Sequence, residues 1–227
     1  MKKTMSKNGL ILALFAMITT GLIALTYFGT KEQIDAQQQR KLLGILNAVI
    51  AKDSHTNDIQ HDCALVVSRD YLGSDESKHA YRAVDQGIPS AVAIETTAPD
   101  GYSGKIELVV GIRGEGEVSG VRVLAHKETP GLGDKIDLRI SDWILAFNGK
   151  SLNENTAASW GVRKDGGQFD QFTGATITPR AVVKAVKRAV EYYQTNKTLI
   201  FSAENACGIN LQDSASANQA PQEQSNE

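Results

Sequence analysis

A run of twenty residues without a charged side chain, Gly9 to Phe28, constrains this 227-residue chain more than any other feature. Twenty helical residues span about 30 Å, the thickness of the hydrocarbon core of a bilayer. Lys2, Lys3 and Lys7 precede the run, and positively charged flanks stay on the cytoplasmic side. The pattern predicts a cytoplasmic segment over residues 1–8 and a single transmembrane helix over the run itself. The main domain is then expected outside the cytoplasm, which is the periplasm if the source is a Gram-negative bacterium.

A cleaved signal peptide is the alternative, because it begins with the same kind of charged segment. The apolar run is longer than the usual 7–15 residues of a signal peptide. No small-x-small cleavage site follows it before Lys31. The sequence therefore favours an anchor that is retained in the inner membrane.

Composition limits the remaining functions. The formal net charge is −2, the pI is about 6.1, and no run of four Lys or Arg residues occurs. A nucleic-acid partner would favour a basic face, so the composition argues against this class of function. The two cysteines, Cys63 and Cys207, are a candidate disulfide, since an even count in an extracytoplasmic compartment fits one. The histidines lack the spacing of metal ligands, so no metal site is predicted.

The chain beyond the anchor predicts an α+β domain, an antiparallel sheet with flanking helices. Residues 29–87 are predicted as a helical linker region, with an amphipathic helix over residues 32–52. Residues 88–201 are predicted as the folded domain, and residues 202–227 as a C-terminal segment that is mostly a disordered polar tail. Within the domain, strands are predicted from residue 88 and over residues 105–113 and 118–126. A helix is predicted over residues 138–147, a short strand over 160–163, and the clearest helix over 179–193, with Pro179 at its first position.

The segment Asp170-Gln-Phe-Thr-Gly-Ala-Thr176 carries the chemistry of the chain. It places a hydroxyl in a turn of small residues just before a helix, where unpaired backbone N–H groups favour negative charge. Thr173 and Thr178 are rivals for this role. Thr178 is well placed as the helix N-cap, which explains it without chemistry. Thr176 has no evident capping role, and Gly174 and Ala175 beside it leave room for a bulky group.

This segment resembles the flavinylation motif of the FMN-binding domain family, Asp-x-x-Thr-Gly-Ala-Thr. The anchor and three further runs, at residues 97–104, 126–135 and 164–167, resemble the G-subunit family of the bacterial Rnf (Rsx) electron-transport complex. The resemblance covers about residues 3–207. It implies FMN esterified through its phosphate to Thr176 by a flavin transferase that consumes FAD, and hence a flavoprotein and a phosphoprotein.

Partners and activity follow from the same resemblance. It implies a six-subunit inner-membrane translocase that couples electron flow between ferredoxin and NAD to ion movement, with this chain not catalysing the full reaction alone. A role in keeping a redox-sensing regulator reduced is a further expectation. The alternatives are a non-redox, membrane-tethered assembly module and the C subunit of a sodium-pumping NADH:quinone oxidoreductase.

Two loops rich in Gly and Pro, residues 99–104 and 128–133, let backbone approach a planar ligand closely. We expect them to shape the flavin site, with Tyr102 against the ring and Glu128, Thr129 and Leu132 along its other side. Asp170 is expected to assist the transferase or to stabilise the turn. For each of these side chains an ordinary turn is the alternative. Trp143 and Trp160 are expected in the core.

Overall fold

The computed structural model describes residues 2–208, in two units that meet at residues 44 and 45. The described residues of the first unit, 2–44, all belong to one long helix, α1 (Lys2–Val49). Its segment Met5–Lys31 is long and apolar enough to cross a membrane, with a mean hydropathy of 2.2. Among the described residues no other helix meets this criterion. The predicted apolar span lies inside this segment.

The second unit is built on a five-stranded antiparallel sheet in the order β1-β2-β3-β4-β5, so each strand pairs with the next along the chain. The predicted α+β class with an antiparallel sheet is confirmed. The elements of this unit are β1 (Cys63–Ser68), α2 (Arg69–Leu72), β2 (Ser74–Asp85), β3 (Ile88–Gly101), β4 (Gly104–Arg113), β5 (Val118–Ala125) and α3 (Ile177–Ser202).

Tight turns make this neighbour-to-neighbour order possible. β2 and β3 are joined by Gln86 and Gly87, both with positive φ (49° and 84°), as a two-residue turn of type I′ requires. β3 and β4 are joined by Tyr102 and Ser103, with Gly104 at φ 116°. This second hairpin carries its tip into the candidate site described below.

One face of the sheet packs against α3. The buried stripe of α3 includes Val182, Val186, Val190 and Tyr193, as the helical spacing predicts. The helix lies mainly along β3. The sheet residues beneath it belong to the same hydrophobic core and include Ile94, Ile106, Leu108 and Val110.

The other face of the sheet meets the last turn of α1. Gly111 of β4 pairs with Gly120 of β5. A Cβ atom on Gly111 would lie 2.4 Å from the carbonyl oxygen of Val49, and one on Gly120 would lie 3.0 Å from the Val49 Cα. The two glycines therefore let this turn approach the strands closely. Ser119 donates a hydrogen bond to the same Val49 carbonyl.

Residues 126–176 have little regular structure. The helix predicted over residues 138–147 is a shorter 3₁₀ helix, Asp142–Phe147. The prediction of a short strand over residues 160–163 is wrong, because Val162 forms only an isolated β-bridge with Phe169. Aromatic packing stabilises this region instead: Phe147 stacks on Phe169 at 4.5 Å between ring centroids, and Trp160 lies 5.5 Å from Phe169. Trp160 is buried, as predicted, and Trp143 is packed against the same core.

The helical linker region predicted over residues 29–87 needs correction. α1 continues without a break to Val49, and β1 and β2 follow, so the sheet begins at Cys63 rather than near residue 88. β2 was missed because charged side chains interrupt its pattern. Two of these, Lys78 and Arg82, are only 7 % exposed, because each is neutralised by an acidic partner distant in sequence.

The end of the domain is tied back to its beginning. Cys63 and Cys207 form a disulfide with their Cα atoms 5.3 Å apart. Arg82 donates hydrogen bonds to Asp62 (2.6 Å) and to the carbonyl of Ala203 (2.7 Å), just after α3. Of the predicted disordered tail, residues 209–227 lie outside the described residues.

Candidate functional site

The residues before α3 form a tight turn. Ala175 donates a backbone hydrogen bond to Phe172 (3.1 Å), and Gly174 between them has a φ of 81°. Positive φ at the third position of a β-turn favours glycine, because a side chain there is strained. The Thr-Gly-Ala sequence therefore specifies this turn, which brings the chain to Thr176 at the start of α3.

Thr176 occupies the N-cap position of α3, but its side chain makes no capping hydrogen bond. Its hydroxyl has no hydrogen-bond partner among residues 2–208. The helix begins at Ile177, so Pro179 is its third residue rather than the first. Proline is tolerated there because the first turn of a helix has no intrahelical acceptor for its N–H groups. The same rule leaves the amides of Ile177 and Thr178 free of intrahelical partners.

The prediction that Thr178 is the helix N-cap is wrong, because Thr176 occupies that position. Thr178 is 1 % exposed, and its hydroxyl donates a 2.5 Å hydrogen bond to the Oε2 atom of Glu128. The other carboxylate oxygen of Glu128 accepts a hydrogen bond from the backbone N–H of Ser103 at 3.0 Å. Glu128 is itself only 5 % exposed. One buried carboxylate thus joins the start of α3, the β3–β4 hairpin and the loop after β5.

Glycines make room for this carboxylate. A Cβ atom on Gly133 would lie 2.6 Å from Oε2 of Glu128 and 2.8 Å from the Thr178 hydroxyl. One on Gly101 would lie 2.9 Å from Oε1 of Glu128. Any side chain at these positions displaces the carboxylate or the backbone around it.

These segments line a cavity that is open to solvent and has a volume of about 250 Å³. Eight of the ten side chains or backbone positions predicted for the cofactor site line it. The cavity also has two lining residues that were not predicted, Gly133 and Ile177. The full lining is Tyr102, Glu128, Thr129, Leu132, Gly133, Gly174, Ala175, Thr176, Ile177 and Thr178.

Two predicted site residues, Thr173 and Asp170, do not line the cavity. Thr173 is exposed at the tip of the turn. Asp170 lies 3.0 Å from Arg163 in an exposed ion pair, and its backbone carbonyl accepts a hydrogen bond from the Trp143 indole at 2.7 Å. The structure therefore gives Asp170 a role in holding the segment in place. Ile177 could have been predicted, because it directly follows the threonine of the motif.

An ion pair ties the hairpin to α3. Lys184 Nζ lies 2.8 Å from Asp100, two residues before Tyr102. Partial burial alone would raise the pKa of Asp100, but the hydrogen bond and charge of Lys184 outweigh it and lower the pKa below the ordinary value. Asp100 is thus ionised at neutral pH. This contact fixes the hairpin, whose Tyr102 is 68 % exposed at the mouth of the cavity.

His126 precedes Glu128 by two residues and bonds within the protein. Its Nδ1 atom accepts a hydrogen bond from the backbone N–H of Glu128 at 3.1 Å, and its Nε2 lies 3.9 Å from Asp137. The hydrogen bond from Arg139 lowers the pKa of Asp137 despite its burial. His126 therefore helps to shape the loop.

The cavity suits a phosphate-linked planar ligand at one end. The free hydroxyl of Thr176 stands beside unpaired amides at a helix start, a combination that favours an anion. Gly174 and Ala175 leave this end unobstructed. Pockets that bury a drug-sized ligand have volumes of roughly 300–1,000 Å³, so the cavity covers only part of a molecule as large as FMN. The remainder would stay accessible beside Tyr102, Leu132 and Ile177.

Comparison with known proteins gives two family matches. An FMN-binding domain model matches residues 101–191, and a model of the RnfG N-terminal region matches residues 1–49. The chain is 64 % identical over 211 residues to the G subunit of the ion-translocating oxidoreductase complex of Pseudoalteromonas atlantica, covering 93 % of this chain and 98 % of that protein.

Two further relatives carry the same name. The Vibrio cholerae protein is 59 % identical over 201 residues, which cover 88 % of this chain and 96 % of that protein. The Shewanella oneidensis protein is 53 % identical over 207 residues, which cover 91 % and 98 %. The similarity includes both the N-terminal helix and the domain that bears the cavity.

Proposed function

Because the chain belongs to the G-subunit family of the ion-translocating oxidoreductase complex, we propose that it carries FMN esterified to Thr176 and relays electrons within that complex. Its membership of an oxidoreductase complex implies other subunits as partners, and its FMN-binding domain supports an electron-transport role. The observation that carries the finer proposal is that Thr176 lines the cavity and that its hydroxyl has no hydrogen-bond partner among residues 2–208. When bound, the flavin supplies the redox chemistry, and the protein supplies position and environment.

A covalent link has a physical reason. The start of a helix stabilises an anion by only about 0.3–1 kcal/mol, and by up to about 2 kcal/mol when it is sheltered. This is roughly a tenfold gain in affinity, which is too small to retain a cofactor in a dilute compartment. The open cavity adds limited burial. An ester bond to the Thr176 oxygen would remove dissociation and hold one end of the ligand at the start of α3.

The remaining lining residues would orient the ring. Leu132 and Ile177 offer apolar surface, and Tyr102 offers an aromatic face at the open edge. Both carboxylate oxygens of Glu128 accept hydrogen bonds, one from Ser103 and one from Thr178. Its role is therefore to hold together the hairpin, the start of α3 and the loop after β5. The open edge leaves the ligand accessible to an electron-transfer partner.

The proposal extends to topology and partners. The lysines before the apolar segment favour a cytoplasmic N-terminus and a periplasmic domain. With a single candidate span among the described residues, the chain would relay electrons to or from other inner-membrane subunits of a six-subunit assembly, with ferredoxin and NAD at its ends.

A flavin transferase would attach the cofactor. An Rsx-type role, keeping a redox-sensing regulator reduced, belongs to the same proposal. The matched relatives are G subunits, which favours this proposal over the C subunit of a sodium-pumping quinone reductase.

In-gel fluorescence tests the proposal. The full chain, expressed with a flavin transferase, should give a flavin-fluorescent band after denaturing electrophoresis. The band should be absent in Thr176→Ala and present in Thr173→Ala, which changes an exposed threonine three residues away. Loss of the band in both variants would argue against Thr176 as the unique attachment point. No band in the unmodified chain would favour the non-redox, membrane-tethered assembly module.

A further inference from the structure

A second cluster of reactive side chains lies at the other end of α3. The sulfur atoms of Cys63 and Cys207 and a ring nitrogen of His79 all lie within 4.8 Å of one another. Among the described residues this is the one group of three His, Cys, Asp or Glu side chains with such geometry. Cys63 is fully buried, whereas His79 and Cys207 are partly buried.

The sheet brings this cluster together. Cys63 opens β1 and pairs with Tyr81 of β2, two residues from His79. Side chains two apart on a strand share a face, and the ring of His79 stacks on that of Tyr81 at 5.6 Å. The sequence indicated the disulfide across 144 residues but gave no sign that His79 lies beside it.

His79 is held by a carboxylate. Glu95 on β3 accepts a hydrogen bond from the His79 backbone N–H at 3.1 Å and lies 3.0 Å from its Nδ1 atom. The Nε2 atom has no hydrogen-bond partner among residues 2–208. In metal sites, the ring nitrogen of a histidine that does not bind the metal usually forms a hydrogen bond with a carboxylate or another acceptor. Glu95 provides such a carboxylate for His79.

The backbone around both cysteines is fixed without the disulfide. The side-chain oxygen of Asn205 accepts hydrogen bonds from the N–H groups of Cys63 (3.1 Å) and Cys207 (3.0 Å). Its amide nitrogen donates to the carbonyl of His61 at 2.8 Å. Ala206 donates to the carbonyl of Cys63 at 2.9 Å. Breaking the S–S bond therefore leaves two thiols side by side, facing the same imidazole.

We propose that Cys63, Cys207 and His79 form a redox-gated binding site for a thiophilic divalent cation of the Zn²⁺ class, with Glu95 orienting the imidazole. Two thiolates and one imidazole are the ligands that Zn²⁺ prefers, and three protein ligands leave one position for water. This inference is independent of the flavin site.

A dithiol is the reductant that opens the site by breaking the Cys63–Cys207 bond. The dithiol gives two electrons to the Cys63–Cys207 bond, becomes a disulfide and releases two protons. The two protein thiolates formed in this way bind the cation. The oxidised chain has no thiolates and cannot form the site. In the reduced chain, the cation would replace the disulfide as the link between residues 203–207 and β1.

Cobalt binding to the full chain in detergent tests this site, because Co²⁺ occupies zinc sites and absorbs light when bound to thiolate. The reductant is a phosphine, which binds the metal weakly and is oxidised to its oxide. The reduced chain should bind one Co²⁺ with a thiolate-to-cobalt absorption band, and added Zn²⁺ should abolish the band. The oxidised chain should show no band.

Two variants assign the ligands. Glu95→Gln should weaken Co²⁺ affinity by about 10–100-fold, the usual effect of removing an outer partner of a ligating histidine. His79→Gln should weaken it at least as much. The matched control is His61→Gln, because His61 lies close in sequence to Cys63 but bonds to Asp58 instead.

Three outcomes would overturn the proposal. The first is a reduced chain that gives no thiolate-to-cobalt band. The second is an affinity that is the same in His79→Gln and in the unmodified chain. The third is a reduced chain that loses its circular-dichroism spectrum and does not regain it with Co²⁺. Circular dichroism of each variant shows whether it has folded.

Discussion

At the scale of single residues, the candidate site depends on Glu128, a carboxylate buried where three segments meet. It accepts hydrogen bonds from Thr178 on α3 and from Ser103 on the hairpin. A buried charge is tolerated when its oxygens are hydrogen-bonded. Each donor is therefore important for the stability of the domain as well as for the shape of the cavity.

Replacing Thr178 with valine tests this contact, since valine keeps the shape and removes the hydroxyl. A hydrogen bond to a charged group contributes about 1.5–3 kcal/mol, and the free energy of unfolding should fall by about this amount. Denaturant titration of the full chain in detergent measures it. The control Thr173→Val changes an exposed threonine and should alter the free energy by less than about 0.5 kcal/mol. Equal effects of the two substitutions would contradict the role given to Glu128.

Glu107 on β4 provides a pH test at the same scale. Burial alone would raise its pKa, but the hydrogen bonds from Lys78 and Thr97 and the ion pair with Lys105 outweigh burial and lower the pKa below the ordinary 4.5. A lowered pKa in the folded state stabilises the fold above pH 4.5, and this contribution is lost as the pH falls through the folded value.

Glu107→Gln should accordingly lower the unfolding free energy at pH 7, by about 1–3 kcal/mol, because Lys78 then lacks its partner. The difference from the unmodified chain should shrink as the pH falls below 4.5. Denaturant titration at several pH values measures the difference. Glu154→Gln is the control, since Glu154 is exposed. A Glu107→Gln difference that is independent of pH would show that its charge contributes nothing.

At the scale of elements, the last turn of α1 rests on paired glycines of β4 and β5. Gly111→Ala places a methyl group 2.4 Å from the Val49 carbonyl oxygen, so the backbone must move apart. Such overpacking costs about 1–3 kcal/mol, and the melting temperature of the full chain should fall. The control is Gly161→Ala, whose new methyl group meets only ordinary contacts at 3.8 Å. A melting temperature unchanged in Gly111→Ala would show that the turn does not rest on this strand.

Comparison of predicted and observed elements shows what local patterns reveal. β3, β4, β5 and α3 were predicted because their apolar residues follow strand or helix periodicity. β2 was not, because the charges of its residues Lys78 and Arg82 break the alternation, and the six-residue strand β1 was not predicted either. These charges are buried only through Glu107 and Asp62, which lie 29 and 20 residues away. Pairing across such distances cannot be deduced from a local pattern.

The candidate site was largely predictable for a related reason. Its loops are rich in Gly and Pro, and the motif itself contains Gly174, whose positive φ shapes the turn. What could not be predicted is the direction that neighbouring side chains face. The turn from Phe172 to Ala175 leaves Thr173 and Asp170 away from the cavity, although they lie within six residues of Thr176.

At the scale of the whole molecule, the disulfide closes a loop of 144 residues that includes the whole sheet and α3. The chain-entropy model gives on the order of 4–5 kcal/mol for so long a loop, and measured values for removing a native disulfide are about 2–5 kcal/mol. The Cys63→Ala, Cys207→Ala double variant should lose about 2–5 kcal/mol of unfolding free energy in denaturant titration with EDTA present. A loss below about 0.5 kcal/mol would show that the hydrogen bonds of Asn205 and Arg82 suffice to hold the two ends together.

The cavity and the Cys63, His79 and Cys207 cluster differ in how readily they can be predicted from the sequence. The cavity is built mainly around one motif and two short loops. The Cys63, His79 and Cys207 cluster forms only when the sheet and the end of α3 meet. Linear spacing predicted no metal site there, whereas the folded chain places three ligand side chains together.

The most direct test of the central claim is mass spectrometry of the full chain, purified from cells that contain its flavin transferase. The intact mass should exceed that of the polypeptide by one FMN less one water, and fragmentation should place the added mass on Thr176. An unmodified polypeptide, or the added mass on Thr173 or Thr178, would contradict the account.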